Sequence, residues 1–193
     1  MLSQDNDWSG NKHRTPKGVP NQLAQQLYKH FTPIGVLEQR ITAGSLTRMN
    51  NLLQNCPVII ETPIAWGQMD AFRHLNNTTY FRFLESGRIA YFERLNFMEY
   101  MEETGVGPIL ASTNCRFRIP LTYPDNVSIG TRVSTIEEDR FTMEYVVVSH
   151  KHQKVAADGS GLIVCFDYKE NKKVPVPAEI RTRIEQLEAT VRT

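Results

Sequence analysis

One apolar stripe narrows the fold more than anything else in this chain. Between residues 78 and 96, Phe81, Leu84, Tyr91, Phe92 and Leu95 recur on one face while Arg82, Glu93 and Arg94 lie elsewhere, which predicts an amphipathic helix long enough for a curved sheet to wrap around. Ahead of it, residues 57–65 hold Val58, Ile59 and Ile60 and read as one strand, ending where Trp66-Gly67 opens a polar loop. Behind it, after a turn expected over 102–107, apolar residues alternate with the period of a half-buried antiparallel sheet. Val127, Ile129 and Val133 share a face of a strand near 125–137, and Phe141, Met143, Tyr145 and Val147 do so in the next. Residues 109–119 and 155–168 supply two more strands, so the order is strand, long helix, four strands, an α+β arrangement. Gly159 and Gly161 inside the last strand predict a bulge or a close backbone approach. Pro175 and Pro177 end the sheet, and Ile180, Ile184, Leu187 and Val191 predict a terminal helix.

The rest of the chain sets bounds. Residues 1–20 are polar and turn-rich, with Gly10, Pro16, Gly18 and Pro20, which predicts a disordered tail. Leu23, Leu27, Tyr28 and Phe31 predict a helix over 21–31; Leu46, Met49, Leu52 and Leu53 predict a second over 45–53. The expected division is an N-terminal extension over 1–56, a main domain over 57–181 and a C-terminal helix or tail over 182–193. A net charge of +1 with both signs interspersed argues against a nucleic-acid partner. No apolar run approaches the roughly 20 residues of a membrane span. Asp5 and Asp7 are out of place in an organellar transit peptide, although Lys12-His13-Arg14 would suit one; the cytoplasm is the expected compartment and an organelle the alternative. Three cysteines, Cys56, Cys115 and Cys165, support neither a disulfide framework nor a zinc cluster, and the latter two read as small apolar strand residues. His150-Lys151-His152 falls at an expected hairpin tip, a solvated turn rather than a metal site. No phosphate-binding loop is present, so nucleotide hydrolysis is set aside.

Chemistry concentrates in residues 67–80, where a loop holding one carboxylate, Asp70, runs directly into the helix. Asn76 or Asn77 is a natural N-cap, and the first turn beyond it leaves backbone N–H groups that can hold a developing negative charge. A carboxylate beside an oxyanion site is suited to acyl transfer.

Asp70, His74-Leu75-Asn76-Asn77, Tyr80 and Glu85-Ser86-Gly87-Arg88 together resemble the 4-hydroxybenzoyl-CoA thioesterase family of hotdog-fold acyl-CoA thioesterases. The likeness extends to Arg116-Phe117-Arg118-Ile119-Pro120-Leu121-Thr122-Tyr123-Pro124-Asp125, to Phe166-Asp167 and to Val174-Pro175-Val176-Pro177, so it spans 57 to about 181. The resemblance implies a hotdog fold, an antiparallel sheet wrapped around one long central helix, in a homodimer or dimer of dimers that hydrolyses an acyl-CoA. It also implies that Asp70 is the essential carboxylate and that the Asn77 backbone N–H polarises the thioester carbonyl. Asp70 can attack the carbonyl carbon or deprotonate a water, and both routes stay open. His74 is expected to organise the loop by hydrogen bonding and Asn76 to brace the same turn. Tyr80 either lines the pocket or packs in the core. Some hotdog thioesterases carry the carboxylate on the helix, which makes Glu85 the alternative to Asp70, although an i,i+3 pair with Arg88 is the plainer expectation. Phe81, Leu84, Leu110 and the facing subunit would shape the acyl pocket. Coenzyme A enters as part of the substrate, with Arg116, Arg118, Arg140, Lys151 and Lys154 available for its phosphates, and no metal or other cofactor is called for. Two competing readings are a hotdog dehydratase using His74 with a helix acid, and a catalytically idle acyl-binding or assembly protein docking through its N-terminal extension.

Overall fold

The computed structural model describes residues 43–191; the expected tail over 1–20 and helix over 21–31 lie outside the described residues. Helix α1 (Ala43–Leu53) leads into strand β1 (Val58–Pro63), a single 3-10 turn (Trp66–Gln68) and the long helix α2 (Asn77–Arg94). A short helix α3 (Phe97–Thr104) precedes β2 (Val106–Phe117), β3 (Asn126–Ile136), β4 (Arg140–Ser149), β5 (Lys154–Asp167) and the two-residue β6 (Lys172–Lys173), and α4 (Ala178–Ala189) follows. The strands form one antiparallel sheet in the order β1-β3-β4-β5-β2, with β6 also paired to β5. Register shifts at Leu110/Ser112, Val133/Thr135 and Val147/Val148 add the local twist that curls the sheet.

Against the sheet's inner face, α2 buries Tyr80, Phe83, Leu84, Gly87, Arg88, Tyr91 and Phe92, spaced three or four apart. They meet Ile129, Phe141, Met143 and Ile163 in the core, each large apolar side chain contributing roughly 2 kcal/mol of transfer free energy. Gly87 marks the closest approach: a Cβ there would lie 2.5 Å from Thr131 Oγ1 and 3.0 Å from Ile129 Cγ2. The helix accepts a residue that costs about 1 kcal/mol relative to Ala because the sheet leaves no room for a side chain. Phe81 departs from expectation. It lies 37 % exposed, outside the buried stripe, since Tyr80 and Leu84 occupy the inward positions on either side.

The region expected to turn over 102–107 is helical through Thr104. Phe97, fully buried against Phe92, pins α3, and Gly105 ends it at φ 83 with its N–H donated to Met101 O. β2 therefore starts at Val106, earlier than the alternation predicts. Of the two expectations for Gly159 and Gly161, close approach is the one observed. A Cβ on Gly159 would meet Asn114 O at 2.4 Å and Leu84 Cδ1 at 3.0 Å; on Gly161 it would meet Tyr145 Oη at 2.9 Å and Leu110 Cδ1 at 3.2 Å.

Two helices cover what the sheet and α2 leave open. The apolar residues Met49 and Leu53 of α1 are buried with Val148 on the sheet's outer face, where glycine at 130 admits Leu53 and Cys56. On the other flank, α4 inserts Ile180 and Ile184 into the core, so the division expected at 181 falls within a single helix. Its Glu188 is also buried, with Oε1 accepting from Tyr91 Oη at 2.6 Å and from the Val133 N–H at 2.7 Å.

Candidate active site

The loop between β1 and α2 is closed by its own backbone. Asp70 N–H donates to His74 O at 2.8 Å, and Arg73 N–H to Asp70 O at 3.1 Å, with Arg73 in the left-handed region at φ 64. In return, Asp70 Oδ1 accepts the N–H groups of Phe72 (2.8 Å) and His74 (3.2 Å). Leu75, buried, ties the loop to the connection between β2 and β3 by donating its N–H to Leu121 O, and Asn76 N–H reaches Gln68 O. One carboxylate oxygen of Asp70 is thus occupied in holding the loop. The other, Oδ2, has no hydrogen-bond partner among the described residues.

Asn76 is the cap of α2. Its Oδ1 accepts from Thr78 N–H at 3.0 Å and Thr78 Oγ1 at 2.9 Å, and its carbonyl takes the Thr79 N–H. This leaves the Asn77 N–H, at the positive end of an 18-residue helix, without an acceptor among the described residues. Asp70, His74, Asn77 and Tyr80 line one open groove of about 350 Å³, with Leu75 and Phe117-Arg118-Ile119-Pro120 completing it. Asp70 also borders a second groove of about 450 Å³, lined by Trp66, Gly67, Met69, Arg73, Thr122 and Tyr123. Asp70 is the residue common to the two grooves.

Tyr80 satisfies both expectations stated for it. It is 3 % exposed and packs edge-on against Phe117 with ring centroids 5.0 Å apart, yet it still borders the groove. Burial pushes its phenol up to about 12, against a backbone hydrogen bond at Leu121 that lowers it, so Tyr80 stays a neutral wall at physiological pH. His74 differs from expectation: the loop is organised by its main chain, while its exposed imidazole makes no hydrogen bond among the described residues. Glu85 is not brought to Asp70. It borders a separate cavity of about 350 Å³ with Thr78, Phe81, Arg82, Arg88, Leu110 and Thr113, and its Oε2 accepts from Arg82 Nη1 at 2.8 Å, so the expected Glu85–Arg88 pair does not form. Arg88 is buried instead.

Of the five cations considered for coenzyme A, Arg118 alone lines the Asp70 groove, its Nε paired with Asp158. Arg140 is held by Asp139, and Lys151 sits at the β4–β5 turn with its Nζ 3.5 Å from Thr122 Oγ1. Arg73, beside Asp70, was missed because nothing in its residue type announces a left-handed turn position. Asp125, the last residue of the family-like run 116–125, lies just before β3 and is structural: Oδ2 accepts from Ser149 Oγ at 2.5 Å and Oδ1 from Lys151 N–H at 2.9 Å. His150 bonds Ser128 Oγ through Nε2 at 2.7 Å, and no group of three or more metal-ligating side chains occurs among the described residues.

Comparison with known proteins places this architecture. The chain is 24 % identical to the long-chain acyl-CoA thioesterase FadM of Escherichia coli over 119 residues, 62 % of this chain and 90 % of that one. A Thermus thermophilus thioesterase solved with coenzyme A and Zn is 26 % identical and superposes with a TM-score of 0.62 over 70 % of this chain and 96 % of its own. The DHNA-CoA thioesterase of Staphylococcus aureus, 20 % identical, shares the fold with a TM-score of 0.60 over 70 % and 95 % of the two chains. The model of the thioesterase-like superfamily matches residues 64–184, which takes in the Asp70 loop, α2 and the whole sheet beyond β1, and the chain belongs to that superfamily.

Proposed function

We propose that the protein hydrolyses an acyl-CoA thioester to the free acid and coenzyme A. One observation carries this reading: Asp70, with Oδ1 engaged by the loop and Oδ2 unpaired, lines the same groove as the unpaired Asn77 N–H. The substrate's carbonyl oxygen accepts from Asn77, at a helix terminus whose dipole favours the negative charge that builds in the tetrahedral intermediate. A donor of this kind is worth about 10²–10³ in kcat. Asp70 either forms a mixed anhydride that water then cleaves or deprotonates the attacking water, and the departing thiolate of coenzyme A takes up a proton. Arg118 in one groove and Arg73 in the other, both bordered by Asp70, supply positive charge for the phosphates at the rim.

Within the superfamily, the Asp70 to Asn77 spacing favours the 4-hydroxybenzoyl-CoA thioesterase type, and FadM's activity points to the same substrate class. No further cofactor is needed for this chemistry. The outer edge of β2, twelve residues long with Leu110 and Phe117 exposed, offers unpaired backbone groups for the same edge of a second copy, the natural basis for a homodimer or dimer of dimers. No helix among the described residues is long and apolar enough to cross a membrane, and we assign the protein to the cytoplasm, with an organelle as the alternative. The dehydratase reading needs His74 and a helix acid in one groove, and Glu85 borders another.

Incubating the purified chain with acyl-CoAs of varied length and a thiol reagent tests the proposal. Release of coenzyme A is expected; binding without release across the panel would leave the idle acyl-binding reading in its place.

A further inference from the structure

Trp66 and Tyr123 are large aromatic side chains that the core does not use. Trp66 is 75 % exposed and Tyr123 49 %, and neither makes a ring contact among the described residues. Both line the 450 Å³ groove that Asp70 borders on the side away from Asn77. The backbone under each ring is fixed. Trp66 opens a 3-10 turn whose carbonyl accepts the Met69 N–H at 3.2 Å, while Gln68 Oε1 accepts the Ala65 N–H at 2.8 Å. The segment carrying Tyr123 is tied on both sides, since Leu121 O accepts from Leu75 and Asp125 O from Ile64, each at 2.8 Å. Two ring faces are thus held at one concavity and left uncovered, which suits a flat π system as their partner.

The same groove has the free positive charge. Arg73 lines it, and Lys151 Nζ lies 3.5 Å from Oγ1 of Thr122, another lining residue. Neither cation has an ion-pair partner among the described residues, whereas Arg118 of the neighbouring groove is bound to Asp158. The one acid in the lining is Asp70, the residue placed at the reacting carbonyl. Leu75, Phe117, Ile119 and Pro120 make the neighbouring groove the more apolar of the two, and it holds the Asn77 N–H. An acyl group suits that side; uncovered rings with two unpaired cations suit a base and its phosphates. Trp66 is four residues from Asp70, a span of at most about 14 Å, and a pantetheine arm of about 15 Å reaches that far.

Resting on the thioesterase reading, we propose that the groove between Trp66 and Tyr123 is the subsite for the adenosine 3′-phosphate end of coenzyme A, with adenine on the two rings and phosphate at Arg73 and Lys151. These residues then set substrate class. A thioester on a 4′-phosphopantetheine arm without adenosine, the form a carrier protein presents, has the same reacting bond but nothing to place in this groove.

Two measurements on the full chain test this. For whichever acyl group turns over fastest, kcat/KM for the coenzyme A thioester should exceed that for the 4′-phosphopantetheine thioester about a hundredfold or more, since remote binding is lost with the nucleotide. Trp66→Leu and Arg73→Asn should each shrink that ratio at least fivefold, whatever the absolute rates; asparagine is chosen because it tolerates the left-handed backbone at position 73. Adenosine 3′,5′-bisphosphate, which has no thioester to cleave, should bind by calorimetry and quench tryptophan fluorescence, and the quenching should vanish in Trp66→Leu, where Trp8 is the remaining indole. Equal kcat/KM for the two thioesters in wild type would overturn the proposal. So would a ratio unchanged in both variants, or one that Arg118→Gln abolishes while they keep it, which would put the nucleotide in the other groove. Should neither thioester be cleaved while the bisphosphate binds and quenches through Trp66, the hydrolase reading fails and the nucleotide site stands. The wild-type ratio decides even if a variant does not fold.

Discussion

Asp70 divides its labour between its two oxygens, and this makes the roles of its neighbours separable. The loop is held by Asp70 Oδ1 and by the backbone of His74, not by the imidazole. His74→Gln should therefore keep at least a tenth of wild-type turnover, since an amide preserves bulk and polarity but cannot shuttle a proton. Steady-state kinetics check this, and loss of all activity in a folded variant would move acid-base chemistry onto the imidazole. The cysteines give a second residue-scale expectation. Burial pushes the thiols of Cys56 and Cys165 up to about 11 and about 12, whereas Cys115 is raised but only half-buried beside Tyr80. Alkylation of the native protein followed by peptide mapping should label Cys115 first, because the thiolate is the reacting species and access limits the other two. Rapid labelling of Cys165 would contradict the packing around β5.

At the scale of elements, the buried carboxylate of Glu188 joins α4 to α2 and β3. Glu188→Ala would strand the Tyr91 hydroxyl and the Val133 N–H in the core, and should cost about 2–4 kcal/mol in urea unfolding. Glu188→Gln, which keeps an acceptor, should cost less. Burial first, and then the bond to Glu188, push the Tyr91 phenol above its ordinary 10.0. A raised phenol contributes stability that is complete below that value and is lost as pH climbs through the folded one, so unfolding midpoints should hold to about pH 9 and fall above pH 10. Tyr91→Phe should flatten that fall. Much of this architecture was legible in the sequence. The stripe of α2 and the alternation of β3 and β4 each follow from one side of an element facing one core. What escaped were features decided by a neighbour: Phe81 turned outward because the inward positions were filled, α3 formed because Phe97 found Phe92, and Glu85 chose Arg82 over Arg88 because the sheet buried Arg88. For the site, Asp70 and the Asn76 cap could be read because loop chemistry and capping are local. The grooves could not, since they are made by β2 and the loop after it.

Across the molecule, the N-terminal extension is best tested by where it is cut. Every residue placed at the site lies after Pro57, so a chain beginning at Ala43 should keep its oligomeric state and its hydrolysis. Removing residues through Leu53 should behave differently. Met49 and Leu53 are buried with Val148, and their loss would bare an apolar patch on the sheet's outer face, giving self-association on size-exclusion chromatography. If the longer truncation stays dispersed and merely loses activity, α1 contributes to the site and not to cover.

The central claim is that Asp70 performs the reaction at the mouth of α2, and Asp70→Asn tests it most directly. The amide keeps an Oδ1 acceptor for the N–H groups of Phe72 and His74, so the loop should survive, and a non-hydrolysable acyl-CoA analogue should still bind. With nucleophile and base both removed, kcat for coenzyme A release should fall a hundredfold or more. Turnover within about threefold of wild type would contradict the assignment and pass the role to Glu85 or His74.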